Sequence, residues 1–361
     1  MYTRLLEKVP KKIVHNGKIQ FGTFSGVTDY LDIRGVLAPF AGIPTSRFLS
    51  NFRIKSRLTY VFSLPDYIGL VEFFDDKAFG LAEVIYWNKE TNQKLAYHTF
   101  MGPRRRFVPV NTSAAACISF AKTRYIKVNW NRKRAKSVLS FTVRGDKFRP
   151  ASKGKFISHI SPDKQSELLT VCPAPIHQRC SATWFVPMNI TGGIATAKHR
   201  RQIKELPQTK ELPQTKGQAL MLVNRTYLRF HSSSELMVGF FEYEGKKITF
   251  TFSSTSQAAL DGDRYNENML SVDGDITAMP PVCITHPFGI QKKWIVQDTE
   301  SMVDLSFMPV SCSSRTLNII VMRNAYTTIY GNFEGVLLTK NGEKIVLKNC
   351  SGIVKKSMLR L

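Results

Sequence analysis

Acidic residues are scarce in this sequence. Its 361 residues include 51 Lys and Arg but only 27 Asp and Glu, which gives a formal net charge of +24. A surplus of this size attracts anionic surfaces from a distance. Because the basic residues are spread through most of the chain, we expect weak association with anionic membranes and no specific binding of nucleic acid. On the outer faces of barrels, the same charge would simply maintain solubility.

Long apolar runs are also missing. No stretch approaches the roughly 20 apolar residues that a membrane-spanning helix needs. The segment Met1–Lys12 is mixed and charged, so it lacks the apolar core of a secretory signal. Together these absences predict a cytoplasmic protein.

Motifs for catalysis or for a cofactor are absent. The six cysteines are scattered, and the nearest pair, Cys172 and Cys180, has a spacing that fits no common zinc site. No two of the seven histidines lie within five residues of each other. The sequence contains no nucleophile elbow, phosphate loop or dinucleotide fingerprint. We therefore expect no metal site and no cofactor, and no catalytic residue can be assigned.

Period-two alternation is the dominant pattern. Ile126, Val128 and Trp130 alternate with Lys127 and Asn129, as in a strand with one buried face. No amphipathic pattern extends beyond about two helical turns. Many antiparallel strands with short turns indicate an all-β sandwich or barrel. The same alternation recurs at residues 58–64, 139–143, 248–252 and 303–307.

Turn residues, chain length and a break in the alternation indicate two domains. The dipeptides Glu244-Gly245 and Asn341-Gly342 separate alternating runs and predict hairpin turns. The chain is too long for one compact core, and residues 149–167 lack alternation. We place the domains at 1–163 and 164–361. Residues 195–217 contain KELPQT twice in tandem, which predicts an exposed irregular loop.

Several short motifs carry a family resemblance from one end of the chain to the other. Their number, order and spacing resemble the family known as domain of unknown function 2804. That family is distantly similar to carotenoid hydratase (hydroxyneurosporene synthase) and to AttH-like lipocalin-fold proteins. The resemblance implies two consecutive lipocalin-like (calycin) antiparallel β-barrels. The motifs are Phe21–Gly26, Asp29–Arg34, Phe52–Lys55, Gly102–Pro109, Asn266–Gly274, Val303–Pro309 and Tyr330–Gly335.

The sequence departs from the family pattern at one element. Where the family carries Asp-Trp-Gly-Arg-Gly, this chain reads Leu220–Phe230, which has Arg225 but no preceding Asp. No Trp lies between Trp184 and Trp294. If that element carries the family's chemistry, this protein has lost or changed it. The resemblance therefore favours binding without catalysis, and Arg225 is retained as a candidate ligand contact.

Three further groups of residues are candidate ligand contacts. Asp29, Asp32 and Arg34 offer paired carboxylates for acid–base chemistry. The alternative, which we favour, is a salt-bridged turn in which Arg34 pairs with one Asp. Arg53 and Lys55 share one face of an alternating segment, so they could meet an anionic ligand group or could pair with Asp29 or Asp32.

The third group, Asn266, Glu267 and Asn268, precedes an otherwise apolar strand. In a barrel mouth these polar groups could orient a ligand, whereas in a turn they would cap exposed backbone. The capping interpretation is favoured.

These patterns favour a protein that binds a lipophilic small molecule inside a barrel or in the cleft between barrels. One alternative is a hydratase- or cyclase-like enzyme acting on an isoprenoid or lipid. That chemistry needs an inward-facing carboxylic acid kept protonated by burial. A second alternative is a basic adaptor for anionic membrane or nucleic-acid surfaces, with its positive charge concentrated on one face.

Overall fold

Strands dominate the computed structural model of the protein. It describes Arg4 and residues 6–40, 43, 45–77, 79–102, 107–174, 178–197, 212–227, 231–255, 262–319 and 322–360. The helical segments among these residues are one short α-helix, α1 (Arg47–Phe52), and a single 3-10 turn at Arg132–Arg134. Within the same residues, no helix is long and apolar enough to cross a membrane.

Fifteen strands precede residue 228. Thirteen of them form the first sheet, and β2 and β3 form a separate two-stranded hairpin. The strands are β1 (Glu7–Lys8), β2 (Val14–His15), β3 (Lys18–Ile19), β4 (Gly22–Ser25), β5 (Ile54–Ser63), β6 (Tyr67–Asp75), β7 (Gly80–Asn88), β8 (Lys94–Met101), β9 (Ala114–Ala121), β10 (Arg124–Asn131), β11 (Lys136–Val143), β12 (Ser152–His159), β13 (Leu168–Pro173), β14 (Cys180–Thr196) and β15 (Thr215–Tyr227).

The order of strands in the first sheet is β8-β7-β6-β5-β15-β14-β12-β11-β10-β9. β13 pairs with β14 and with β4, and the short β1 lies parallel to β4. The pairing of β5 with β15 joins segments far apart in the sequence. It therefore brings the two ends of this half of the chain into one curled sheet.

Nine strands form the second sheet, in the order β19-β18-β17-β16-β24-β23-β22-β21-β20. All of its pairings are antiparallel, and the turns predicted at Glu244-Gly245 and Asn341-Gly342 join β16 to β17 and β23 to β24. The strands are β16 (His231–Tyr243), β17 (Lys246–Thr255), β18 (Met269–Val272), β19 (Asp275–Ala278), β20 (Val282–Thr285), β21 (Trp294–Asp298), β22 (Val303–Ile319), β23 (Met322–Leu338) and β24 (Lys344–Arg360).

Alternation along the strands builds a separate core on the concave face of each curled sheet. In β10, Ile126, Val128 and Trp130 are at most 1% exposed and belong to the core of the first sheet. In β17, Phe250 and Phe252 are fully buried in the core of the second sheet. The predicted class is confirmed: the fold is all-β and consists of two curled, antiparallel, lipocalin-like sheets.

The outer faces of the two sheets pack against each other through a third apolar cluster. Leu70 and Trp87 of the first sheet lie in this cluster with Phe240 and Tyr330 of the second. The rings of Trp87 and Tyr330 have centroids 6.0 Å apart. Burial of this apolar surface holds the sheets together.

The strands divide between the sheets after Tyr227. The boundary predicted between residues 163 and 164 falls between β12 and β13, which both belong to the first sheet. The extents of the domains stay a prediction. Within the predicted loop 195–217, β14 continues to Thr196 and β15 begins at Thr215. Most of the tandem KELPQT repeat lies outside the described residues.

Candidate functional site

A cleft lies between the outer faces of the two sheets, where the apolar packing between them ends. It encloses a cavity of about 240 Å³, slightly smaller than a typical small-molecule site of roughly 300–1,000 Å³. β5, β14 and β15 form one wall, and the ends of β16, β17 and β24 form the other. Apolar side chains on both walls include Phe74, Phe185, Leu222, Leu236 and Leu359.

Strand alternation explains which side chains reach the cleft. In β14, Ala182 and Trp184 point into the core of the first sheet, so Ser181 and Thr183 point the opposite way and line the cavity. In β15, Asn224 reaches the cavity for the same reason. The cleft therefore acquires polar groups from strands whose other face is apolar.

Glu267 extends into this cleft from the segment that precedes β18. Its Oε1 accepts a hydrogen bond from Thr183 Oγ1 at 2.7 Å and one from Ser181 Oγ at 3.3 Å. Asn224 Nδ2 donates to Thr183 Oγ1 at 2.7 Å and to Ser181 Oγ at 2.9 Å. Because the amide donates to both hydroxyl oxygens, each hydroxyl is free to direct its own hydrogen at Oε1. In a neutral Glu267 the proton would therefore reside on Oε2.

Burial raises the pKa of Glu267 above its ordinary value, because desolvation disfavours the charged carboxylate. The hydrogen bonds from Thr183 and Ser181 act in the opposite direction but do not cancel this effect. Among the described residues, Glu267 has no ion pair. The cleft thus contains a carboxyl group that protonates more readily than one in water, and its neutral form can both donate and accept a hydrogen bond.

Asn266 and Asn268 hold the segment around Glu267 in place. Asn268 is 1% exposed; its Oδ1 accepts from Ser253 N at 2.8 Å and its Nδ2 donates to the Pro280 carbonyl at 2.7 Å. Asn266 Oδ1 accepts from the Asn268 backbone N–H at 3.0 Å. The three predicted neighbours lie together at the cleft, but both asparagine side chains bond to backbone while Glu267 bonds across to β14.

A buried ion pair between the sheets contacts Arg57 and Thr59, which line the same cleft. Lys355 of β24 forms a salt bridge with Glu72 of β6, and both side chains are less than a tenth exposed. Thr59 Oγ1 donates to Glu72 Oε2 at 3.0 Å, and Arg57 Nε lies 3.7 Å from Oε1. Burial alone would raise the pKa of Glu72, but the charges of Lys355 and Arg57 outweigh burial and lower it.

Asp29, Asp32 and Arg34 lie away from the cleft, on the surface near β4. Arg34 Nη2 lies 2.5 Å from Asp32 Oδ2, and Lys164 Nζ lies 2.8 Å from the exposed Asp29. Burial would raise the pKa of Asp32, but the hydrogen bonds and charge of Arg34 lower it. The two carboxylates therefore have separate cationic partners.

Lys55 pairs with Asp76, and not with Asp29 or Asp32. Its Nζ lies 2.8 Å from Asp76 Oδ1, and both side chains are buried. The pKa of Arg53, which ends α1, is lowered by burial and then by the charge of Arg179. Both cations thus lie where α1 meets β5, and Lys55 also borders the cleft.

Arg225 points away from the cleft into the first sheet. Its guanidinium donates to Ser56 Oγ at 2.9 Å and to the Val108 carbonyl at 2.6 Å. Burial lowers the pKa of Arg225 to about 10. Its strand neighbour Asn224 faces the cleft instead. The residue chosen from the sequence, Arg225, is therefore one position away from the residue of β15 that lines the candidate site.

The sequence pointed to Glu267 as a candidate ligand contact, but it did not point to the hydroxyl groups that bond to Glu267 or to the amide that bonds to those hydroxyls. Ser181, Thr183 and Asn224 belong to no motif, and they meet Glu267 only because β14 and β15 pair side by side. Polar residues alternating along otherwise apolar strands were the available signal. In the described part of the chain, no group of three or more His, Cys, Asp or Glu residues could hold a metal ion.

Two solved structures are similar to this protein over most of the chain. A protein of Nitrosomonas europaea described as AttH is 11% identical, with a TM-score of 0.50 over 89% of this chain and 98% of its own. Kievitone hydratase of Nectria haematococca is 8% identical, with a TM-score of 0.46 over 85% of this chain and 88% of its own. At 11% identity, the similarity to the Nitrosomonas protein supports the fold alone.

No curated protein matches the chain. One family model does, and it covers residues 48–361, which contain all but three of the residues proposed from the sequence as ligand contacts. The resemblance inferred from the motifs is confirmed, and the chain belongs to the family described as Domain of unknown function (DUF2804).

Proposed function

We propose that the protein binds a small, mostly apolar molecule in the cleft between the two sheets, with Glu267 as the polar anchor. The observation that carries this proposal is a cavity of about 240 Å³ whose exposed lining is mostly apolar and in which two hydroxyls hold the carboxyl group of Glu267. Apolar walls provide the free energy of binding, while a few fixed polar groups orient the ligand.

The chemistry of Glu267 limits the class of ligand. A neutral carboxyl group donates through its O–H and accepts through its carbonyl oxygen, so it suits an alcohol, ketone or phenol on an apolar skeleton. The ligand is therefore an uncharged, weakly polar molecule.

Large aromatic side chains fill much of the concave face of the first sheet. On the concave face of the first sheet, Trp130, Trp184, Phe141 and Phe156 are at most 1% exposed, and Trp130 packs edge to face against Trp184. Large aromatic side chains occupy the space in which a barrel-type binding protein would hold its ligand. For that reason the cleft, and not a barrel interior, is the proposed site.

Ligand retention is the first test. Native mass spectrometry of the full purified chain, followed by solvent extraction, should reveal a retained uncharged molecule. The same chain should bind the fluorescent probe 1-aminoanthracene, and the retained molecule should displace it. If no molecule is retained and the probe does not bind, the proposal is wrong.

A filled cleft is the second test. Ser234 lines the cavity, so Ser234→Phe should occupy it and weaken probe binding by about tenfold or more, equivalent to about 1.4 kcal/mol. Ser314 is exposed on β22 and lies outside the cavity lining. Ser314→Phe is therefore the matched control and should bind as the wild type does. If both variants bind the probe with equal affinity, the probe binds outside the cleft.

The second candidate function is acid-catalysed addition of water to a carbon–carbon double bond. Glu267 favours it, since a carboxylic acid kept neutral inside an apolar cleft is the group this reaction needs. The acid would transfer its Oε2 proton to one alkene carbon, water would add to the other, and the proton lost by that water would restore the acid. Incubation of the retained molecule with the protein in water labelled with oxygen-18 would test this. Gain of one labelled water, absent with Glu267→Gln, is the expected result.

A further inference from the structure

The short helix α1 exposes its apolar face and buries its polar one. Phe48, Leu49 and Phe52 are 76%, 55% and 41% exposed, whereas the buried residue of the helix is Ser50. Positions 48, 49 and 52 lie on one side of a helix, because residues three and four apart are neighbours. A helix packed on a soluble core normally has the opposite orientation.

Polar side chains at and before α1 form local hydrogen bonds. Ser46 caps the helix by accepting a hydrogen bond from Leu49 N at 3.3 Å, and Thr45 Oγ1 lies 3.0 Å from Ser50 Oγ. Leu37 and Ile43, in the preceding segment, are also 75% and 66% exposed. The hydrogen bonds within residues 45–50 thus stabilise α1, and apolar side chains are exposed both on the helix and in the segment before it.

Basic residues predominate in the sequence around α1, although Arg34, Lys55 and Arg57 have the carboxylate partners Asp32, Asp76 and Glu72. From residue 33 to residue 65 the sequence contains no Asp or Glu, although it contains five cations. Arg47 lies exposed at the start of α1, and the half-buried Arg53 follows its last residue. An apolar helical face with arginines at its edges matches the interface of a bilayer, where aromatic side chains enter the acyl boundary and cations meet lipid phosphates.

We propose that α1 docks the protein on an anionic lipid bilayer. Phe48, Leu49 and Phe52 enter the boundary between headgroups and acyl chains, and Arg47 meets the lipid phosphates. The net charge of +24 attracts the chain to such a surface before α1 inserts. This inference stands independently of the ligand in the cleft.

Vesicle co-sedimentation tests the proposal with the full chain. The wild type should bind vesicles of phosphatidylcholine mixed with phosphatidylglycerol, and should bind pure phosphatidylcholine vesicles less strongly. The triple variant Phe48→Ser, Leu49→Ser, Phe52→Ser should lose roughly tenfold or more of this affinity, because three apolar side chains no longer leave water.

A second triple variant controls for general loss of apolar surface. Phe120, Phe148 and Phe288 are 66%, 79% and 80% exposed elsewhere on the protein, and replacing all three with Ser should leave vesicle binding unchanged. Circular dichroism would verify that both variants keep their strand content. Equal loss in the two variants, or no loss in the α1 variant, overturns the proposal.

A single reporter distinguishes insertion from simple attraction. In Phe48→Trp the indole should shift its emission to the blue on anionic vesicles and keep that shift in moderate salt, because the ring has entered an apolar layer. Binding without a blue shift would mean that charge alone attracts the chain and would overturn insertion of α1. Loss of a dimer in the α1 variant, without vesicle binding by the wild type, would assign the face to a second copy and also overturn the proposal.

Discussion

Glu267 gives the protein a pH dependence of stability with a defined sign. Its pKa in the folded chain is raised above the ordinary value of 4.5. At a pH between 4.5 and the raised pKa, the folded state therefore binds more protons than the unfolded state. The free energy of unfolding therefore falls as the pH rises from 4.5 through the folded pKa, by about 1.4 kcal/mol for each pKa unit of the shift.

Glu267→Gln tests this linkage. Glutamine keeps an acceptor oxygen for Thr183 and Ser181 but does not ionise, so this decline in stability should disappear from the variant. Urea unfolding of both proteins at a series of pH values would measure it, with Glu242→Gln on the exposed end of β16 as control. Parallel curves for Glu267→Gln and the wild type would show that this carboxyl does not titrate abnormally.

Arg225 is expected to contribute to stability and not to ligand binding. Arg225→Met removes the donors to Ser56 Oγ and the Val108 carbonyl, which leaves a buried carbonyl without its partner. We expect a loss of about 2–4 kcal/mol in the free energy of unfolding, with 1-aminoanthracene binding unchanged in the folded fraction. Weakened probe binding at full folding would instead place Arg225 in the ligand site.

The residue scale also shows where sequence reasoning reaches its limit. Glu267 could be selected because a carboxylate before an apolar strand is conspicuous. Asn224 could not be distinguished from Arg225, because period two assigns alternate residues to opposite faces without saying which face meets a cleft. The choice between them depends on a second sheet that lies far along the chain.

At the scale of the strand, glycines of β23 and β24 have a steric explanation. A Cβ on Gly331 would lie 2.2 Å from the Met308 carbonyl oxygen, and one on Gly352 would lie 2.2 Å from the ring of Phe333. Aromatic rings and neighbouring backbone thus cover these positions in β23 and β24. Gly331 belongs to Tyr330–Gly335, one of the motifs that resemble the family. Packing of this hairpin therefore explains why that motif has a glycine there.

Gly335 offers a test of that explanation. It lies at the β-bulge of β23 with φ +134°, and an added Cβ would lie 2.1 Å from the Asp304 carbonyl oxygen. Gly335→Ala should reduce the free energy of unfolding by about 2 kcal/mol or more, because both the dihedral angle and the contact disfavour a side chain. Thermal unfolding followed by circular dichroism would measure it.

Gly102→Ala is the matched control for this substitution. A Cβ there would meet nothing within 4 Å, so the midpoint of unfolding should stay close to that of the wild type. A Gly335→Ala protein as stable as the control would mean that the bulge relaxes without cost.

Alternation and turns predicted β23 and β24, but the bulge depends on the register between strands, which alternation alone does not encode.

At the scale of the whole molecule, the sequence predicted the class of the fold but not the pairing that builds each sheet. β5 pairs with β15, although a boundary was expected at residue 163. Local periodicity shows that a segment is a strand, but partner choice comes from long-range packing that no short window contains. A cleft between the two halves was expected, but the same limit hid which residues line it, since its walls come from both sheets.

The ion pair between Glu72 and Lys355 connects the two sheets next to Arg57 and Thr59 of the cleft. Lys355→Met would leave the Glu72 carboxylate buried, with the more distant Arg57 as its remaining cation. Removing one partner of a buried pair costs about 3–5 kcal/mol, because the other charge stays without compensation. We expect a loss of this size in urea unfolding at neutral pH.

The double variant Glu72→Met, Lys355→Met separates an unpaired charge from simple loss of packing. Removing both charges should recover most of the stability, since apolar side chains of similar size fit a buried site. The wild type should also lose stability as the pH falls through the lowered pKa of Glu72, because protonation removes a charge that the folded state stabilises. The double variant should lack that acid-sensitive contribution. If the double variant is as unstable as the single variant, the attraction between Glu72 and Lys355 itself stabilises the contact between the sheets. The loss in Lys355→Met would then not come from leaving Glu72 buried without its partner.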